Sequence, residues 1–338
     1  MNKILLIGPA WVGDMVMAQS LFKLLKERRP NAVLHVAAPA WTLPLLSRMP
    51  EVSAMTPLPF AHGRLDLQAR YTIGKSLRAT QFEQAIVLAN SFKSALLPWF
   101  AKIPLRTGWS RELRCLILND TRRLDKKRYP LMVQRYLALG LSPDEVLPSA
   151  YSHPELSSTL ETQAAALEQV GLSRPTVPVL ALCPGAEFGP SKRWPEEAYA
   201  EVARAKLAAG WQVWLFGSAK DQAVTQRIMA LTGNACLDLA GRTRLDEAID
   251  LLALATAVVS NDSGLMHVAA ALKKPLIALY GSTSPDFTPP LAKQVSILKL
   301  ALSCQPCFER DCPLKHHQCM RDLAPSTVLN TLGGLVAP

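Results

Sequence analysis

Read for its alternation of apolar and polar positions, the chain states one theme twice. In the first half, short and nearly continuous apolar runs at Ile4–Ile7, Val33–Ala37 and Gln84–Leu88 predict strands buried on both faces, as in parallel sheets. Between them, apolar residues at helical spacing predict amphipathic helices, among them Met15 to Glu27 and Phe92 to Phe100. The second half repeats the pattern, with strands at Val179–Cys183, Trp211–Phe216, Ala257–Ser260 and Leu276–Tyr280. Its helices are expected near Glu196–Ala209, Leu245–Ala255 and Gly264–Leu272. Such alternation predicts two doubly wound α/β units. The join is expected within Leu141 to Pro178, where Ser, Pro and Glu cluster around a short helix from Ser157 to Val170.

Length agrees with this reading, since 338 residues suit two domains of about 150 to 170 residues each. Hydrophobic residues make up 49% and charged residues 19%, which excludes a mostly disordered chain. No apolar run approaches the roughly 18 to 20 residues that span a bilayer. Lys3 and the apolar run after it imitate a signal peptide, but Gly8, Pro9, Gly13 and Asp14 interrupt the run and no cleavage site follows cleanly. A soluble protein is expected.

Charge changes the picture, because the net +10 is uneven. Residues 1–165 carry 21 Lys and Arg against 12 Asp and Glu, a net of +9, whereas residues 166–338 carry 16 against 15, a net of +1. The densest stretch holds Arg106, Arg111, Arg114, Arg122, Arg123, Lys126, Lys127, Arg128 and Arg135. It is either a solvated surface or the face that meets an anionic partner. No zinc finger, RNA-binding aromatic signature or helix-turn-helix pattern accompanies it, so phosphorylated sugar or lipid fits better than nucleic acid.

Doubly wound units bind ligands beyond the carboxyl ends of their strands, so the loops after the strands are where chemistry is expected. The first is Ile7-Gly8-Pro9-Ala10-Trp11-Val12-Gly13-Asp14. It is neither a dinucleotide fingerprint nor a Walker loop. Asp14 is either a helix N-cap or a carboxylate at the mouth of a cleft, acting as general base on a hydroxyl. The second runs from Pro184 to Pro195, where glycines admit a ligand to the backbone and Lys192 and Arg193 offer charge beside it. The third, Ser260 to His267, places small polar residues at a helix N-terminus, an ordinary cap and also an anion site. His267 is either a core residue or a phosphate contact. The loop Gly281 to Asp286 follows the next strand and would line the same cleft. A carboxylate in one half and two phosphate-type loops in the other suit sugar transfer from a nucleotide diphosphate to a hydroxyl. There is no Asp-x-Asp, the usual metal-holding pair, so the leaving group's charge would fall to Lys192 and helix-terminal N–H groups.

The segments Gly8 to Asp14, Asn90-Ser91-Phe92-Lys93-Ser94-Ala95, Arg106-Thr107-Gly108-Trp109, Pro184 to Pro190, Lys192-Arg193-Trp194-Pro195, Phe216 to Asp221, Asn261 to His267 and Tyr280 to Phe287 run in one order across nearly the whole chain. Together they resemble glycosyltransferase family 9, the heptosyltransferases. The resemblance implies a GT-B fold, two Rossmann-like domains facing a central cleft. It places an acceptor-binding domain at 1–165, a nucleotide-sugar domain at 175–322, and a last helix at Pro325 to Leu335, within 323–338, crossing back to the first. It implies transfer of L-glycero-D-manno-heptose from ADP-heptose to the first heptose of the lipopolysaccharide inner core, α-1,3 and with inversion, with no cofactor or metal required. A family member with a different acceptor is the near alternative. An oxidoreductase is disfavoured by the missing glycine fingerprint.

By family pattern Asp14 is the base and Lys192 acts on the donor. Gly185, Glu187, Gly217, Ser218, Asp221, Asp262, Ser263, Gly264, Met266 and His267 would join Lys192 in holding the donor. Trp11, Gly13, Lys93, Arg106, Arg111, Arg122 and Arg123 would hold the acceptor. The basic half would meet Kdo carboxylates and lipid A phosphates at the cytoplasmic face of the inner membrane, a peripheral and salt-sensitive contact. The site logic leaves out Cys304-x2-Cys307-x4-Cys312-x6-Cys319, with His316 and His317 inside it. Reduced thiols in a structural loop, a metal site and a redox use all stay open, while disulfides are disfavoured in a reducing cytoplasm.

Overall fold

The computed structural model describes residues 2–60 and 64–336. The chain separates into two compact units, Met1–Pro154 and Glu155–Pro338. The first comprises β1 (Lys3–Ile7), α1 (Val12–Arg28), β2 (Val33–Pro39), a 3-10 turn at Ala40–Thr42, α2 (Leu43–Leu46), β3 (Val52–Leu58), α3 (Leu67–Leu77), β4 (Gln84–Val87), α4 (Phe92–Phe100), β5 (Leu105–Trp109), β6 (Asp120–Arg122) and α5 (Met132–Leu139). The second comprises α6 (Leu160–Val170), β7 (Val179–Cys183), α7 (Glu196–Ala208), β8 (Gln212–Leu215), α8 (Gln222–Leu231), β9 (Leu237–Asp238), α9 (Leu245–Ala253), β10 (Ala257–Asn261), α10 (Gly264–Ala271), β11 (Leu276–Leu279), β12 (Val295–Leu298), α11 (Gln318–Arg321) and α12 (Pro325–Leu335).

Each unit holds one six-stranded parallel sheet, in the order β3-β2-β1-β4-β5-β6 and β12-β11-β10-β7-β8-β9. Central strands are the apolar runs of the sequence, and β7 is buried along its whole length because helices cover both faces. In the first sheet the winding reverses between β1 and β4, and in the second between β7 and β10. A crevice for a ligand opens at the carboxyl end of such a reversal. The loops that drop into these two positions are Gly8–Asp14 with Asn90–Lys93, and Pro184–Pro195 with Asp262–His267.

Two features differ from the sequence reading. The division falls between Pro154 and Glu155, inside the expected joining segment Leu141 to Pro178 but ahead of residue 165, because α6 packs on α9. The Ser158 and Thr162 hydroxyls fix it there by donating to the Asp250 carboxylate at 2.7 and 2.8 Å. Counted on this division the first unit has 21 basic against 10 acidic residues, a net of +11, and the second 16 against 17, a net of −1. The last helix, expected to cross back, buries Val328 and Leu332 in the second unit's own core, against α7 and β11. Among the described residues no helix is long and apolar enough to cross a membrane.

Candidate active site

In the first unit the chain leaves β1 through a tight turn. The Gly8 N–H donates to the Ala37 carbonyl at 2.9 Å, and a Cβ on Gly8 would lie 2.6 Å from Met15 Cε, so a side chain there would have to displace the end of Met15. Trp11 stands at the N-cap position of α1 with extended backbone and makes no side-chain capping bond. Asp14 is therefore not the cap. It is the third residue of the helix, in the first turn, where the helix dipole favours an ionised carboxylate. Its Oδ1 accepts a hydrogen bond from the Tyr136 hydroxyl of α5 at 3.0 Å. Burial first, and then the Asp14 charge, hold the Tyr136 hydroxyl well above its ordinary range, so it stays a donor. Trp41 projects from the 3-10 turn after β2 and donates its indole N–H to the Ala10 carbonyl at 3.2 Å. Trp11 and Trp41 are 45% and 54% exposed, giving two aromatic faces next to the Asp14 turn. Neither Tyr136 nor Trp41 was singled out in the sequence. Trp41 could have been found as an aromatic residue just past a predicted strand end.

The basic stretch divides into two kinds. Arg114 is fully buried and spends its guanidinium on the carbonyls of Ala89 and Trp109; burial lowers it to about 10. Arg106 donates to the carbonyls of Ile117 and Ile103, and burial lowers its pKa as well. Arg122 pairs with Asp120 at 2.9 Å and donates to the Ala138 carbonyl at 2.6 Å. Arg106 and Arg122, expected to meet an acceptor, thus hold the unit's own backbone, because in this short-stranded edge of the sheet the carbonyls need donors. Arg111 and Arg123 are exposed, and Lys93 is half-buried in the first turn of α4.

In the second unit the loop after β7 is anchored by Trp194. Its ring packs edge-to-face on Tyr199 at 4.9 Å, its indole N–H donates to the Leu323 carbonyl at 2.9 Å, and its backbone N–H donates to Asn261 Oδ1 at 3.2 Å. Asn261 also accepts from the Tyr199 hydroxyl and donates to the Pro184 carbonyl, at 2.9 and 2.7 Å, tying the end of β10 to the end of β7. Two residues before Trp194, Lys192 Nζ meets Asp262 Oδ2 at 2.6 Å. Their side chains are 13% and 4% exposed. Thr283 donates to the same carboxylate oxygen at 2.5 Å. Asp262, expected to contact the donor, instead holds Lys192 in place, as befits a carboxylate that would repel phosphate. Directly after it, Ser263 stands at the N-cap of α10 with its hydroxyl on Ser260 and no side-chain capping bond, which leaves the first N–H groups of the helix available to an anion.

The remaining expected donor residues separate. Gly185 and Gly217 both lie against Asp221: a Cβ on either would come within 2.8 Å of that side chain. Asp221 Oδ2 accepts from the Ser218 N–H and hydroxyl at 2.9 and 2.8 Å, so its carboxylate closes its own turn. Glu187 is exposed and pairs with Lys220 at 2.6 Å, which raises the lysine's pKa. Met266 has no exposed side-chain surface, which assigns its side chain to packing. His267 is buried, and desolvation lowers it to about 4, with Asp262 opposing and Lys192 reinforcing. It is neutral at pH 7.

A stability prediction follows from His267. Its folded pKa lies below the unfolded value near 6.5, so the unfolded chain takes the proton first as pH falls. The second unit is expected to lose stability between about pH 6.5 and pH 4, by up to about 3 kcal/mol. Urea midpoints measured across that range should flatten in His267→Asn. An unchanged slope in that variant would remove His267 as the cause.

Two Rossmann-like units of this order, one with a carboxylate and the other with a lysine and an open helix end at its reversal, define a GT-B glycosyltransferase. Comparison narrows the class. The glycosyltransferase family 9 (heptosyltransferase) pattern matches residues 70–318. Lipopolysaccharide heptosyltransferase 2 of Escherichia coli K12 is 48% identical over 343 residues, covering 99% of this chain and 98% of that protein. The Salmonella typhimurium protein of the same name is 47% identical over 344 residues, at 99% coverage of both. The solved structure of E. coli ADP-heptose lps heptosyltransferase II superposes with a TM-score of 0.89 at 46% identity, over 99% of this chain and 98% of that one. The chain belongs to glycosyltransferase family 9, the heptosyltransferases, and is an enzyme of lipopolysaccharide biosynthesis.

Proposed function

We propose that this enzyme transfers L-glycero-D-manno-heptose from ADP-heptose to the first heptose of the lipopolysaccharide inner core, forming an α-1,3 linkage with inversion. The observation that carries the donor side is the half-buried Lys192, fixed by Asp262 and Thr283 beside the open N-terminus of α10. That is a site for a diphosphate: a cation and several unpaired N–H groups, both at the reversal of a parallel sheet. Gly185, Gly217 and Ser218 flank it as the backbone that the nucleoside approaches. Asp14 supplies the base.

In the reaction the acceptor hydroxyl oxygen attacks the anomeric carbon from the face opposite ADP. The C–O bond to the β-phosphate breaks, its electron pair leaves with ADP, and the hydroxyl proton passes to Asp14. Inversion follows from the single displacement. Lys192 and the α10 N–H groups meet the charge that grows on the departing diphosphate, where fixed donors are worth most. The Tyr136 hydroxyl orients the Asp14 carboxylate by donating to its Oδ1. Trp11, Lys93 and the exposed Arg111 and Arg123 of the +11 unit suit a sugar bearing Kdo carboxylates and lipid phosphates at the cytoplasmic face of the inner membrane.

The test is ADP release from purified protein given ADP-heptose and a monoheptosylated Kdo2-lipid A, with EDTA present. Release that depends on the acceptor is expected. Release only after a divalent metal is restored would overturn the charge assignment to Lys192. No release under either condition would overturn the donor and acceptor named here while leaving the family in place.

A further inference from the structure

The segment from the end of β12 into α11 supplies none of the groups that the proposed sugar transfer uses. Cys304, Cys307, Cys312 and Cys319 all line one small cavity of about 20 Å³ there, and Ser191, Gly281 and Ser282 line it with them. The other three cysteines are elsewhere, and Cys183 and Cys236 are buried singly. Four cysteine side chains around so small a space make a set of soft sulfur ligands with no other role in the fold described above.

We propose that Cys304, Cys307, Cys312 and Cys319, which converge on this cavity, bind one soft divalent metal ion, zinc or iron, as four thiolates. Sulfur ligands select those ions over magnesium or calcium. The cavity admits a single small sphere. His316 is the less suitable ligand, because its Nδ1 already accepts the Gln318 N–H at 3.0 Å. Among the described residues no three Cys, His, Asp or Glu side chains stand arranged as a ligand set, so binding draws the sulfurs inward from the cavity wall.

The site is structural, and its place gives it a purpose. The same segment holds the loops on which Lys192 and Thr283 sit: the Ser191 N–H donates to the Arg310 carbonyl at 3.1 Å and its hydroxyl to the Glu309 carbonyl at 2.5 Å. The Phe308 N–H donates to the Ser282 carbonyl at 2.7 Å, and the Gln305 side chain to the Tyr280 carbonyl at 3.0 Å. Gly189 passes so near that a Cβ there would lie 2.5 Å from the Arg310 carbonyl oxygen. A metal fixing this segment therefore also fixes the diphosphate loops. That consequence rests on the donor reading above; the metal site itself does not.

The test is elemental analysis of the full chain, prepared under reducing conditions without a metal-affinity step. About one zinc or iron per chain is expected, retained through brief EDTA and released by a mercurial thiol reagent. Apoprotein supplied with cobalt should develop the visible bands of a tetrahedral thiolate centre, and Cys307→Ser should weaken them. Should Cys307→Ser fail to fold, the cobalt spectrum of the unmodified chain decides. Four freely reactive thiols with less than about a tenth of a metal ion per chain and no cobalt bands would overturn the proposal. Two disulfides within the cluster would overturn it equally. None of these readouts depends on turnover, so a failure of the transfer assay is told apart from a failure of this site.

Discussion

Replacing Asp14 by alanine is expected to lower kcat by about 10²–10⁴-fold while ADP-heptose binding is kept, the range for loss of a general base. That corresponds to about 3–5 kcal/mol of transition-state stabilisation. The split between rate and binding comes from position. Asp14 is held in the first turn of α1 and accepts from Tyr136, whereas the groups suited to a diphosphate belong to the loops of the other unit. Asp14→Asn sharpens the test, since the amide keeps the shape and an oxygen for Tyr136 but takes no proton. Steady-state rates combined with calorimetric titration of the donor decide the matter. Normal turnover in either variant removes Asp14 as the base.

Lys192→Ala is expected to do two things that can be separated. It removes the cation proposed to meet the departing diphosphate, which should cost about 10²-fold or more in kcat or donor affinity. It also leaves Asp262, only 4% exposed, with a buried charge that has lost its cation and keeps the neutral Thr283 hydroxyl. Breaking a buried pair from one side typically costs about 3–5 kcal/mol of stability. Lys192→Ala combined with Asp262→Asn removes the orphaned charge, so the urea midpoint should recover while donor handling stays impaired. Donor affinity and rate unchanged in Lys192→Ala would take Lys192 out of the site.

The buried framework was legible because parallel strands covered on both faces write themselves as apolar runs, and Ile4–Ile7 and Val179–Cys183 fall on strands of the same bounds or within a residue of them. The edges were not. β3 alternates half-buried and exposed residues and contains Pro57, and β9 has two residues, so neither leaves a run to read. The site loops were visible as glycines and small polar residues at strand ends. What each side chain does there was less visible. Sequence gives charge without direction, and Arg106, Arg114 and Arg122 turned inward to carbonyls that only the tertiary structure brings near. Asp262 and Asp221 likewise spend their carboxylates on Lys192 and Ser218. Tyr136 reaches Asp14 across 122 residues of sequence, a pairing no local pattern announces.

Counted within its own unit, each sheet has the same strand order, since β12-β11-β10-β7-β8-β9 is the first order read from the other side. One architecture is thus used twice, and its equivalent reversal points carry opposite electrical character, an aspartate in one and a lysine in the other. The chain passes from one unit to the next once, at Pro154. Under the function proposed above, recognition of the sugar to be extended and recognition of the activated sugar are then inherited as separate halves. A lineage can retune one by mutation, or acquire it whole by recombination near that crossing, without redesigning the other.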